Sequence, residues 1–168
     1  VQLYRGRARQ DAGTIPYDLL RSLFAFRFDI QDGESAAAVR EKMTVGFASA
    51  LDGSQEAERN AHILGQLLGY DFSDSPHVQP ILSDAQQIRD RGLMYMEQYF
   101  KAVRNPLVIF LEDLHWADDS SLDAIAQLTM ALSSRPVLIV AVARPELYQR
   151  RPHWFEGRAF HQRLDLYP

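Results

Sequence analysis

The sequence predicts an α/β fold, and three observations carry that reading. Two short runs, Leu107–Leu111 and Val137–Val142, are almost wholly apolar, as strands are when both faces of a parallel sheet are covered. Between them, Ser120–Leu132 reads as a short helix, which makes a strand–helix–strand unit with an expected right-handed crossover. Upstream, helical periodicity dominates from Tyr17 to Val103.

Residues 1–9, VQLYRGRAR, form the expected first strand, with Arg5, Arg7 and Arg9 on one face at period two. A solvated face on an edge strand is preferred for that stripe over a phosphate-binding row. Asp11–Gly13 marks a turn. Pro16 suits the opening of a helix, expected over Tyr17–Phe28. A second helix is expected over Glu34–Leu51, with Val39, Met43, Phe47 and Leu51 at helical spacing. A third covers Ser54–Leu68, with Ala57, Ala61, Leu64 and Leu68 along one side. Gly69–Pro80 reads as a loop. The fourth helix, Asp84–Val103, places Ile88, Tyr95, Met96 and Tyr99 toward a core, and Asn105-Pro106 stops it.

The tail, Arg144–Gly157, is loop-like and rich in arginine and aromatics, and residues 162–167 read as a last short strand. The organisation is one domain over residues 1–168: first strand and turn to 15, helical segment 16–104, strand–helix–strand unit 105–143, and tail 144–168.

Bulk properties narrow the function. The 168 residues suit one domain, and a net charge of −4 gives no broad basic field for nucleic acid. With no cysteine, disulfides, thiolate metal sites and thiol catalysis are excluded, and a cytoplasmic location fits. No apolar run approaches the roughly 20 residues of a membrane helix. No GxSxG elbow and no GxGxxG fingerprint is present. The chain opens at Val1 directly in strand-like sequence, so a longer parent protein is expected.

The chemistry gathers at the tip of the strand at 107–111, where Glu112 and Asp113 follow five apolar residues. Ligands of open α/β sheets bind beyond the carboxyl ends of the strands. Two carboxylates there need water, donors or a cation, and Mg²⁺ suits one or two carboxylates plus phosphate oxygens. Because neighbouring strand side chains point opposite ways, the two acids are expected to do different jobs.

The stretch PLVIFLEDLHWADDSSLDAI, Pro106–Ile125, resembles the Walker B segment of STAND-branch, AAA+-like P-loop ATPases. It is similar in particular to the modules of bacterial adenylate-cyclase-linked, kinase-linked and LuxR-type regulators. Further likeness lies in VLIVAVARPEL, which ends a strand at Arg144, and in RGRA…PYDLLRSLF near the start. The resemblance implies a three-layer P-loop NTPase fold with a mainly parallel sheet, ATP and Mg²⁺ as cofactors, and an output domain as partner. It gives Glu112 the role of the Mg²⁺ contact through water and Asp113 that of polarising the attacking water. Arg144 is implied as a sensor of the γ-phosphate; pairing with Glu146 or capping a loop stands equally beside it. The order Glu-Asp departs from the commoner Asp-Glu and points to a slow switch rather than a motor. His115 and Trp116 are expected to pack and orient the turn, and Asp118 or Asp119 to cap the next helix.

One part of the pattern is absent from these residues. No G-x-x-x-x-G-K-[ST] occurs, and the only lysines, Lys42 and Lys101, follow no such glycine frame. The expectation is a partial domain lacking the P-loop strand and the helical lid, with weak or no ATP binding by itself. The strand at 137–142 is then left with an open apolar edge that favours self-association. Two other readings compete. One is a metal-dependent hydrolase or nuclease built on Glu112, Asp113, Asp118 and Asp119, although the five histidines show no metal-ligand spacing. The other is an interaction module using Arg150, Arg151, Trp154, Phe155 and Arg158, a segment more simply packed on its own domain.

Overall fold

The computed structural model describes residues 1–53, 55–156 and 160–166. Three strands, β1 (Gln2–Arg7), β2 (Leu107–Glu112) and β3 (Val137–Ala141), form one parallel sheet in the order β1-β2-β3. The register pairs Arg5 with Phe110, Arg7 with Glu112, and Leu107 with Val137. Between β1 and β2 lie α1 (Asp18–Phe28), α2 (Ala36–Ala50), α3 (Gln55–Leu67) and α4 (Ala85–Ala102). The crossover helix α5 (Asp119–Ala131) joins β2 to β3, and a short α6 (Glu146–Arg150) follows.

Local chemistry sets the helix starts. Ser35 Oγ accepts the Ala38 amide to begin α2, and Asp84 Oδ1 accepts the Gln87 amide to begin α4. α1 starts differently from expectation. Pro16 precedes the helix rather than opening it, because Tyr17 takes a left-handed cap conformation at φ 63°.

The sheet buries one face. Tyr4, Ala8, Leu107, Ile109 and Leu111 are all at most 2% exposed. Gly6 belongs to this face, and a Cβ there would meet Leu19 Cδ1 at 3.2 Å, so glycine lets α1 lie close on β1. The core is aromatic. The Tyr99 ring lies 4.6 Å from Phe47, 5.4 Å from Phe100 and 5.7 Å from Phe24, and its hydroxyl meets that of Tyr4 at 3.0 Å. Burial holds the Tyr99 phenol neutral, far above its ordinary range. α5 packs beside α1 and α4 through Leu122, Ile125 and Leu128.

The opposite face differs from the expected three-layer arrangement. Leu3, Leu138 and Val140 are exposed there, and Val108 and Phe110 are only half-buried. The described residues therefore build two layers, helices on one side of a parallel sheet. The continuous apolar character of β2 and β3 is that of strands meant for cover on both faces. The tail also departs from expectation: its 146–150 portion is helical, and residues 161–166 carry no strand. Tyr167 and Arg158 lie outside the described residues. No helix among the described residues is long and apolar enough to cross a membrane.

Candidate functional site

The site forms where β2 ends. Glu112 is the last strand residue, and in a parallel register it shares the open face with Arg5 and Arg7. Arg5 Nε donates to Glu112 Oε2 at 2.6 Å. Asp113 lies just past the strand in a left-handed conformation, φ 57° and ψ 35°, which caps a tight turn over Leu114–Trp116. Arg7 Nε reaches Asp113 Oδ2 at 2.8 Å. The alternation rule therefore fails at this pair, because Asp113 is no longer strand. Both acids face arginines of one strand face.

The arginine stripe is the exposed face of an edge strand, as expected, but the structure adds partners to it. Arg5, Arg7 and Arg9 are not free. They pair with Glu112, Asp113 and Asp18 in turn. The arginines stay more than half exposed in the first two pairs, and such pairs are weak and salt-screened. The hydrogen bond from Glu112 also holds the Arg5 guanidinium above its ordinary pKa, so it stays charged. In this form of the molecule, guanidinium groups supply the countercharge that two adjacent carboxylates require.

The turn after Asp113 is tied down from several sides. Leu114 N donates to Val142 O, and Val142 N to Leu111 O, which clamps the tip of β2 against the end of β3. His115 is buried against the Trp116 ring, with ring centres 4.5 Å apart. Arg144 is exposed, with its guanidinium 5.9 Å from the Trp116 ring centre and its backbone N–H 3.4 Å from His115 Nδ1. No ion pair joins it to Glu146 among the described residues, and none joins it to Glu112 or Asp113.

Asp118, rather than Asp119, caps α5. Its Oδ1 accepts the Ser121 amide at 2.8 Å, and its Oδ2 accepts the Ser121 hydroxyl at 2.6 Å. The same Oδ1 accepts the Tyr17 amide at 2.9 Å. One carboxylate, 6% exposed, thus satisfies orphan donors at the starts of both α1 and α5. Asp118→Ala is expected to cost about 1–3 kcal/mol of folding stability, readable as a lowered urea midpoint. Asp118→Asn, which keeps an acceptor, is expected to lose less.

Asp119 is held instead by Arg150 and Arg151 at 3.2 and 3.4 Å. Arg150 also donates to the carbonyls of His115 and Ala117 at 3.1 and 2.7 Å, and Trp154 Nε1 to that of Leu122 at 3.4 Å. This part of the tail packs on its own domain, as the sequence suggests, and it also braces the turn, a role that sequence reasoning missed. Its only signal was the density of arginine after β3.

The four acids of the hydrolase reading do not converge. Each is committed to a different partner, and among the described residues no three of them place ligand atoms within 4.8 Å of one another. The lysines are equally remote from the tip: Lys42 pairs with Glu34, and Lys101 with Glu97. As a Mg²⁺ site the tip fits in part. Glu112 and Asp113 are hard oxygen donors, about a quarter exposed, while nothing among the described residues supplies a phosphate cradle. A cavity of about 210 Å³ does exist, lined by Gln2, Arg27, Tyr99 and Asn105, but these residues flank the opposite, amino-terminal ends of β1 and β2.

Comparison with known proteins adds a family. A family model described as AAA ATPase domain matches residues 2–140. An uncharacterized protein of Rhizobium meliloti (strain 1021) is 33% identical over 64 residues, which are 37% of this chain and 6% of that protein. The chain therefore spans a small fraction of the relative it matches. No solved structure matches.

Proposed function

Because the chain belongs to the AAA ATPase domain family, we propose that it is the acid-bearing half of a STAND-type signalling switch in which ATP binding and hydrolysis govern an attached output domain. The observation that carries the proposal is the Glu112–Asp113 pair at the carboxyl tip of the central strand of a parallel sheet. In this reading Glu112 holds Mg²⁺ through water, and Asp113 orients the attacking water and receives its proton. Mg²⁺, when bound, supplies charge neutralisation at the β- and γ-phosphates. Arg144, three residues past the end of the neighbouring strand, reads the γ-phosphate. Its exposed side chain lies over Trp116, and no ion pair holds it among the described residues. Arg5 and Arg7 act as stand-in counter-ions that leave the acids when the metal nucleotide arrives.

The phosphate cradle comes from a G-x-x-x-x-G-K-[ST] strand and helix elsewhere in the complete protein. The open face of the sheet and the outer edge of β3 are where such elements would pack, and the exposed Leu138 and Val140 support that placement. The same surface favours self-association when the chain stands alone. A cytoplasmic location goes with this reading.

Calorimetric titration of Mg-ATP tests it in two arms. The 168-residue chain is expected to show no micromolar binding, whereas the protein joining it to a P-loop segment is expected to bind in the micromolar range. Micromolar binding by the chain alone would sink the proposal, as would failure of the joined protein to bind.

A further inference from the structure

Away from the strand tip, the helical segment brings together three side chains of a different chemistry. Glu58 and His62 lie one turn apart on α3, so they share a face of that helix. His77 comes from the loop that returns after α3. One ligand atom from each of the three lies within 4.8 Å of the others, and His77 Nε2 is 3.8 Å from Glu58 Oε1. Inspection of histidine spacing along the chain gives no hint of this, because the gathering depends on the path of the loop at 69–78.

The surroundings are those of a metal ligand rather than of a loose surface histidine. His62 is buried, and its Nδ1 lies 2.7 Å from the hydroxyl of the fully buried Ser75, while its Nε2 lies 3.2 Å from Thr44 Oγ1. Ser75 Oγ also accepts the backbone N–H of His77 at 3.2 Å, so one hydroxyl touches the His62 ring and the main chain of His77. A hydrogen bond to one ring nitrogen is how metal-bound histidines are oriented, and it raises the basicity of the other. His62 is 4% exposed, and burial favours the neutral ring, which is the form that coordinates. Arg40, a cation near His62, is paired with Asp74. Glu58 and His77 are partly exposed, so they can close on an ion without breaking the core.

We propose that Glu58, His62 and His77 form a binding site for a divalent transition-metal ion, with Zn²⁺ the best match. Two imidazoles and one carboxylate are a zinc donor set, and three protein ligands leave a fourth position for water or a further ligand. The ion takes one nitrogen of His62 and leaves the other its hydroxyl partner. It ties the loop at 69–78 to α3, far from Glu112 and Asp113 in the fold. The site stands independently of the nucleotide reading.

The test uses Zn²⁺ and Co²⁺ salts with the 168-residue chain. Calorimetry is expected to show a single saturable Zn²⁺ site, and Co²⁺ to develop the visible absorption of a four-coordinate ion. Glu58→Gln and His77→Gln alter partly exposed side chains and should leave the circular dichroism unchanged. Each is expected to weaken the site by about tenfold or more. No saturable binding, or binding that survives both substitutions at full affinity, overturns the proposal.

Discussion

Asp113→Asn, made in the protein that joins this chain to a P-loop segment, is expected to slow ATP hydrolysis by about 10²–10⁴-fold. ATP affinity should hold within a few-fold. The reason lies in what the two residues share. Asparagine keeps the size and the left-handed backbone preference of aspartate, so the turn over Leu114–Trp116 persists. It cannot take a proton, so the water that it touches is no longer activated. Glu112→Gln should behave differently, weakening the dependence of binding on Mg²⁺ as well as the rate. Single-turnover measurement separates the two effects. If Asp113→Asn hydrolyses ATP at the parent rate, the assigned role is wrong, whatever the chain binds.

The second large effect is structural. Phe24→Ala is expected to cost about 3–5 kcal/mol, enough to unfold a domain of ordinary stability. Phe24 is fully buried, and its ring lies within 6.3 Å, centre to centre, of Phe28, Phe47, Tyr99 and Phe100. It joins α1, α2 and α4, so the cavity left behind would border three helices with nothing small enough to refill it. Phe26→Ala, two residues away and half exposed, should change stability by no more than about 0.5 kcal/mol. Urea denaturation of the pair reads the contrast, and equal losses would show that α1 does not face the core as described.

Much of this fold could be read before any coordinates. The apolar runs at 107–111 and 137–142 read as strands because five or six apolar residues without alternation, bounded by turn residues, are the pattern of parallel strands suited to cover on both faces. The four helices before them announced themselves through spacing and through stops such as Asn105-Pro106. What escaped depends on contacts distant in sequence. Arg5 and Arg7 look unpaired until the register sets Arg7 beside Glu112, more than a hundred residues away. Asp118 and Asp119 were equal candidates for a cap, and the backbone decides between them: Asp118 is extended, at φ −67° and ψ 152°, while Asp119 is already helical. The strand expected in the tail failed because a strand needs a neighbour, and no edge receives residues 161–166. At the candidate site, the acids were legible from their place at a strand end. Their countercharges and the Arg150 brace were not.

Asp118 carries one more implication. A helix usually frays from its first turn independently of its neighbours, each end exchanging its amide protons on its own schedule. Here the Tyr17 and Ser121 amides share a single carboxylate oxygen. When that side chain lets go, both amides lose their acceptor together, so the openings of α1 and α5 become one correlated event. The two helices flank the sheet on the same side as its core, one leading from β1 and the other from β2. A displacement of the turn that carries Asp118 would therefore be felt at once by the element following each of these two strands, with no chain of intermediates between them.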